Sequence, residues 1–313
     1  MMNTVYLFSA FVIAFVFSFA STPLVKKLAF KIGAIDVPKD NRRMHKKPIP
    51  RLGGLAIIFG FVVAVICFSE SYSKELIATL TAGAVIVVMG VVDDCKDLNA
   101  KLKFVIQIIA ALIVIYFGDI KISVTTHPNI FGLTPYWVLP EWLSVVATVI
   151  WIVFITNAVN FIDGLDGLAA GVSAIMSVSL VFIAVRMNEF AIALMGISLM
   201  GGCFGFLPYN FNPAKIFMGD TGSLALGATM GTIAILTHRE LTLLVVAGIF
   251  VIETLSVIIQ TFWVQVLHKK LFLMTPLHHH FEKLGWQETD IVKLFWVCGL
   301  ILSMAGIIFG VWL

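Results

Sequence analysis

The sequence predicts an all-α integral membrane protein of about ten transmembrane helices with both termini outside, and three observations carry that prediction. Hydrophobic residues make up 60% of the chain, charged residues only 12%, and the mean hydropathy is +1.01. Soluble domains carry about 25% charge, so this chain has too few charges to cover a water-facing surface. Second, apolar stretches near the ~20 residues that cross a bilayer recur at roughly 4–24, 53–69, 75–92, 102–118, 142–161, 168–186, 190–207, 221–238, 241–263 and 291–313. Third, the basic residues take sides. Ten spans make the loops alternate, and the set 25–52, 93–101, 162–167, 208–220 and 264–290, counted generously at the helix ends, holds 17 of the 21 Lys and Arg. The other set holds Lys74, Lys121, Arg186 and Arg239. Lys and Arg mark the cytoplasmic side, which places the first set on the cytoplasmic face of the membrane.

Taken in order, the stretch Thr4–Leu24 lacks a basic leader and a small-residue cleavage site, so it reads as a retained helix. The segment 119–140, with Pro128, Gly132, Pro135 and Pro140, reads as an irregular or hairpin insert on the outer side. Apolar segments run through the whole chain without an internal repeat, which predicts one polytopic domain over 1–313. Cys67, Cys95, Cys203 and Cys298 are scattered, with no C-x-x-C pair, and read as small hydrophobes. A net charge of +3 makes no case for a nucleic-acid partner.

The acidic residues carry the functional signal. Asp93 and Asp94 end the third span; Asp163 and Asp166 follow the fifth; Asp220 precedes the eighth. All five fall on the basic side. An ionised Asp at the centre of a span costs about 2.5–3.5 kcal/mol, so acids at membrane depth are functional candidates. Any one of the five is as easily a helix cap. Five from three loops on one face point instead to a cation bound by hard oxygens, and the lack of a Cys or His framework suits Mg²⁺. Glycines stand beside them in Asp163-Gly-Leu-Asp166-Gly167 and Gly219-Asp220-Thr-Gly222-Ser, each at a helix start, where phosphate is attracted; alone this signal is weak.

His278, His279 and His280 follow Pro276 before the last span. Consecutive side chains do not converge on one metal ion. Hydrogen bonding to phosphate or sugar oxygens suits them better, against a structural cap. The run 39–51, which includes Lys46 and Lys47, is polybasic. It sets topology and meets lipid headgroups, or captures a phosphate-rich substrate, and both readings stand together.

Pro50-Arg-Leu-Gly-Gly54, Asp93-Asp94, Asn160-Phe-Ile-Asp163-Gly-Leu-Asp166-Gly-Leu-Ala and Asn212-Pro-Ala-Lys-Ile-Phe217-Met-Gly-Asp220-Thr-Gly-Ser223 resemble the polyprenyl-phosphate N-acetylhexosamine-1-phosphate transferases, along the full length of the chain. The C-terminal third, with Val251-Ile-Glu253-Thr-Leu-Ser256 and Pro276-Leu-His278-His-His280-Phe-Glu282-Lys-Leu-Gly-Trp286, resembles the branch that moves phospho-N-acetylmuramoyl-pentapeptide. The first two-thirds looks closer to the N-acetylglucosamine-1-phosphate branch. Arg51 and Leu52 depart from the Thr-Pro-Thr-Met-Gly-Gly usual in the first branch. The histidine loop weighs more, because the two branches differ most there.

The resemblance implies transfer of a sugar phosphate from UDP-N-acetylmuramoyl-pentapeptide, or alternatively UDP-N-acetylglucosamine, to undecaprenyl phosphate. It implies Mg²⁺ held by Asp220 with Asp94 and Asp163, Asp93 engaging the lipid phosphate, and Lys103 neutralising phosphate charge. A uridine site is implied at Asn210, Phe217 and Asp166 with Lys46 or Lys47 beside it. Asn157 and Asn160 are implied in substrate positioning, and the histidine loop, above all His279 and His280, at the sugar or its peptide arm. A homodimer is common in the family. A reading from a different class, an ion-coupled transporter, expects essential acids deep within spans at the midplane, where this sequence has few.

Overall fold

The computed structural model describes residues 4–37, 48–126 and 136–312. Helices dominate: α1 (Thr4–Ile32), α2 (Gly54–Phe68), α3 (Lys74–Lys96), α4 (Ala100–Gly118), α5 (Glu141–Ile162), α6 (Leu168–Arg186), α7 (Phe190–Asn210), α8 (Gly219–Leu236), α9 (Glu240–Val246), α10 (Gly248–Leu267), α11 (Leu277–Lys283) and α12 (Glu288–Trp312). Two small antiparallel pairs complete the described residues. β1 (Ile35–Asp36) pairs with β2 (Ile49–Pro50), and β3 (Val124–Thr126) pairs with β4 (Tyr136–Val138). The second pair is the hairpin in the 119–140 insert.

Among the described residues, eight helices are long and apolar enough to cross a membrane: α1, α3, α4, α5, α6, α7, α10 and α12. The expected spans at 53–69 and 221–238 are α2, apolar but only 15 residues, and α8. α8 is rich in Gly, Thr and Ser for a span. Sixteen of its 18 residues are buried, against α3, α5 and α2, so it faces protein and not lipid. Small residues suit that position, since helices in lipid gain by close van der Waals packing. Gly54 of α2 and Gly222 of α8 meet backbone to backbone, with no room for a Cβ on either.

The expected span 241–263 is two helices. α9 ends at Val246 and α10 begins at Gly248, with Ala247 between them at φ −83°, ψ 15°. Gly306 of α12 lets the α9 backbone close on it, while α10 turns to pack on α5. α1 also runs eight residues past the expected end at 24, so Lys26, Lys27 and Lys31 lie on its last turns.

Opposite ends of the bundle differ in chemistry. At one end Lys74 pairs with Asp119 at 3.1 Å and Lys121 with Glu141 at 2.7 Å, all at least partly in solvent. At the other end the C-termini of α3 and α5, the N-termini of α6 and α8, and the short α11 come together. The sequence-derived acids lie there.

Candidate active site

α3 carries its apolar face into the bundle down to Asp93 and Asp94, both buried. Asp94 serves α8. Its Oδ1 accepts the Asp220 backbone N–H at 3.0 Å, and its Oδ2 accepts the Thr221 backbone N–H at 3.0 Å and the Thr221 hydroxyl at 2.6 Å. First-turn N–H groups have no partner inside a helix, and a carboxylate also suits the positive end of the dipole. Gly219 makes this approach feasible: its φ is +73°, and a Cβ there would stand 2.6 Å from both Asp94 Oδ2 and the Arg51 carbonyl.

Lys103, one turn into α4, bridges two acids. Its Nζ lies 3.0 Å from Asp93 Oδ2 and 2.9 Å from Asp220 Oδ2. Asp93 Oδ1 accepts the Leu98 N–H at 2.7 Å. Asn160 on α5 donates to Asp220 Oδ1 and to the Ser223 hydroxyl, both at 2.9 Å. Asn157, one turn earlier, donates at 2.6 Å to Gln107 of α4. Asp93, Asp94 and Asp220 thus come from two helices and share a lysine and a helix start.

A cavity of about 450 Å³ opens beside them. Asp94, Asp163, Asp166, Asp220, Asn210, Phe217 and His279 line it; so do Arg51, Asn212 and Glu288, to which the sequence attached no role in this site. Asp93, Lys103, Asn157, Asn160, His278 and His280 are not on its wall. Lys46 and Lys47 lie outside the described residues.

Asp163 is the carboxylate with least support. It caps α5, and no side chain among the described residues donates to it. Burial and the charges of Asp220 and Asp94 push its carboxyl up to about 8, against a hydrogen bond from the Gly219 backbone. Arg51 is the counterpart: burial works against its cation, but the hydrogen bond to Asp97 and the charges of Asp94, Asp97 and Asp36 outweigh this and raise its pKa.

The donor set fits a divalent cation. Asp93, Asp94, Asp163 and Asp220 face two cations, Lys103 and Arg51, and the remaining negative charge is what a 2+ ion offsets. Among the described residues no three acidic or histidine side chains are arranged as a metal cage. Mg²⁺ takes only one or two carboxylates together with substrate phosphates, so a complete cage is not needed.

The expected uridine residues divide. Phe217 stands on the wall, its backbone fixed by its N–H to the Pro50 carbonyl at 2.8 Å and by the Gly53 N–H to its own carbonyl at 2.9 Å. Asp166 Oδ2 accepts the Asn212 amide at 3.1 Å and the Ala214 N–H at 2.8 Å. Glu288 joins this cluster, accepting the Asp166 N–H at 2.6 Å and the Asn212 amide at 2.9 Å. Asn210 has both ends of its amide on backbone, accepting from Gly167 and donating to the Ile216 carbonyl, each at 3.1 Å; it ties two loops together.

The three histidines point three ways. His278 is buried, with Nδ1 3.2 Å from Glu253 Oε1, and its Nε2 abuts Gly164 in the Asp163 loop. His279 pairs with Glu282 at 2.5 Å on the cavity wall. His280 Nδ1 accepts the Leu273 N–H at 3.2 Å. Glu253, itself fully buried, accepts the Leu277 N–H at 2.5 Å and the His278 N–H at 3.1 Å. In sequence Glu253 stood only as part of a branch pattern. An acid in the middle of an apolar span was the available signal of its role.

Comparison with known proteins decides the family. Residues 76–238 match glycosyl transferase family 4. The chain is 36% identical to a protein of Desulforudis audaxviator, over 95% of both chains. It is 35% identical to one of Bacillus subtilis, over the whole of both, and 37% identical to one of Staphylococcus aureus, over 98% of this chain and 99% of the other. All three are named phospho-N-acetylmuramoyl-pentapeptide-transferase. The chain belongs to the phospho-N-acetylmuramoyl-pentapeptide-transferase family. As a member of that transferase family it is a multi-pass membrane enzyme, and its acids, lysine and cavity meet at one end of the helix bundle.

Proposed function

We propose that this protein transfers phospho-N-acetylmuramoyl-pentapeptide from its UDP-linked donor to undecaprenyl phosphate, giving lipid I and UMP for peptidoglycan synthesis. The observation that carries the reading is full-length identity of 35–37% to transferases of that name. The reaction would take place at the cytoplasmic face of a bacterial plasma membrane, the side to which the basic loops point.

Phosphoryl transfer needs positioning and charge neutralisation more than covalent chemistry from the protein. Bound Mg²⁺ would neutralise the donor diphosphate and polarise it toward release of UMP. Asp220 and Asp163 are the ligands the donor set favours. Asp94 already accepts three hydrogen bonds; it fixes Asp220 and keeps lone pairs that reach the same ion. Lys103 bridges Asp93 and Asp220 and brings positive charge to an arriving phosphate.

Asp93 engages the lipid phosphate. A phosphate monoester has a second pKa of about 6 and is ionised at pH 7 without a strong base, which favours direct attack over a covalent aspartyl intermediate. Phe217 offers uracil a stacking face, Asp166 orients its imide through the Asn212 and Glu288 cluster, and His279 faces the sugar.

The alternative donor, UDP-N-acetylglucosamine, is favoured by the resemblance of the first two-thirds of the chain, above all by Pro50-Arg51-Leu52-Gly-Gly. Purified protein given undecaprenyl phosphate and each donor in turn, with and without Mg²⁺, separates the readings. UMP release with the muramoyl-pentapeptide donor and Mg²⁺ is expected; release with the glucosamine donor alone overturns the assignment.

A further inference from the structure

The cavity wall is strongly acidic, yet the ligand it would take is an anion. Asp94, Asp163, Asp166, Asp220 and Glu288 all line it, while Lys103 is turned to Asp93 and Asp220. Among the described lining residues, Arg51 is the one Lys or Arg. One divalent ion offsets two charges, fewer than the carboxylates already supply, and a diphosphate adds more.

We propose that the Arg51 guanidinium is the protein's own cation for the diphosphate of the nucleotide-linked donor. The assignment rests on the transferase reading above. Three facts support it. First, the Arg51 backbone is fixed beside the reacting groups. Its N–H donates to the Ala34 carbonyl at 3.0 Å, it bridges in parallel to Phe217, and its carbonyl packs on Gly219, the residue before Asp220. Second, the side chain is half-committed. Nε donates to the Asp94 carbonyl at 3.3 Å and Nη2 to Asp97 Oδ1 at 2.8 Å. A guanidinium has five N–H donors in a planar fork that matches phosphate oxygens, so three remain. Third, Asp97 holds the guanidinium from the solvent side, its own side chain 84% exposed. An exposed ion pair of this kind contributes little by itself and gives way to a phosphate at small cost.

The competing explanation is that Arg51 merely pins the end of α3 through Asp97. Binding of UDP and of uridine to the detergent-purified full chain in Mg²⁺ separates the two. Uridine lacks the phosphates and reports the base site alone. R51Q is expected to weaken UDP binding at least tenfold and uridine binding less than twofold. R51K should recover part of the loss, since it restores the charge without the fork. D97N, which removes the exposed partner, should leave UDP binding within threefold of wild type or tighten it.

Equal losses of UDP and uridine in R51Q, or a D97N variant that copies R51Q, would assign Arg51 to structure and overturn the inference. So would R51Q that binds UDP normally. Wild-type protein that binds neither ligand overturns the nucleotide-sugar reading itself, a result distinct from wild-type UDP binding that R51Q leaves intact.

Discussion

Asp94 accepts the backbone N–H of Asp220 at 3.0 Å, so one acid of the candidate site builds the helix start that presents another. The two carboxylates have different work, and substitutions should separate them. D220N keeps the Asp94 cap on α8 but gives up the ion pair with Lys103. It should lower UMP release by at least about a hundredfold, the scale seen when one charge-stabilising group is lost, with a smaller fall in melting temperature than D94A. D94A strands the Asp220 and Thr221 N–H groups in a buried place, at about 1–3 kcal/mol, so activity and melting temperature should fall together. Thermal melts beside UMP-release rates check both; a D220N enzyme with a normal rate contradicts the site.

Lys103 sits 2.9 Å from Asp220, where its charge opposes a bound cation. K103M should therefore tighten Mg²⁺ binding by more than tenfold while turnover falls by at least as much, because an arriving phosphate loses its counter-charge. Calorimetric Mg²⁺ titration with initial rates reads both effects. Weaker Mg²⁺ binding in K103M would mean the ion is held elsewhere.

The Asp163 carboxyl, pushed up to about 8, gives a pH signature. In the unfolded chain an Asp ionises near pH 3.9. The folded, metal-free protein therefore gains stability from this group below about pH 4, and loses it as pH rises toward about 8. Mg²⁺ binds the ionised form, so its affinity should rise with pH up to about 8 and its binding should release a proton near neutrality. Titration in two buffers of different ionisation enthalpy measures that proton. D163N should reduce its release; an unchanged release in D163N rules out Asp163 as a source.

Much of this was legible in sequence because membrane depth makes each acid conspicuous. Asp93, Asp94, Asp163 and Asp220 stood out as charges beside apolar runs, and the structure gathers them at one end. The capping of α8 by Asp94 was not legible, since it joins residues 126 positions apart and no local pattern encodes that contact. Nor was the break at Ala247, because a helix with one distorted residue keeps the apolar composition of a continuous span. α8 read as an ordinary span although its polarity reflects burial in protein. Asn210, a base-binding residue by resemblance, lines the cavity and also ties Gly167 to Ile216 through its amide; only the folded loops reveal that second use.

Glu253 offers a test of the histidine loop. With its carboxylate on the Leu277 and His278 N–H groups and on His278 Nδ1, E253A should strand three polar groups, two of them buried, and free α11. Donor KM is expected to rise about tenfold or more, with a drop of several degrees in melting temperature. Steady-state kinetics that show unaltered donor KM would mean α11 is held without Glu253.

In the proposed mechanism, acids of separate elements meet at one divalent ion. Anomalous scattering from Mn²⁺ in crystals grown with UDP reads that ion directly. A peak within coordination distance of Asp163 and Asp220, beside the UDP diphosphate, is the predicted result; a peak remote from both carboxylates, or none at saturating Mn²⁺, would contradict it.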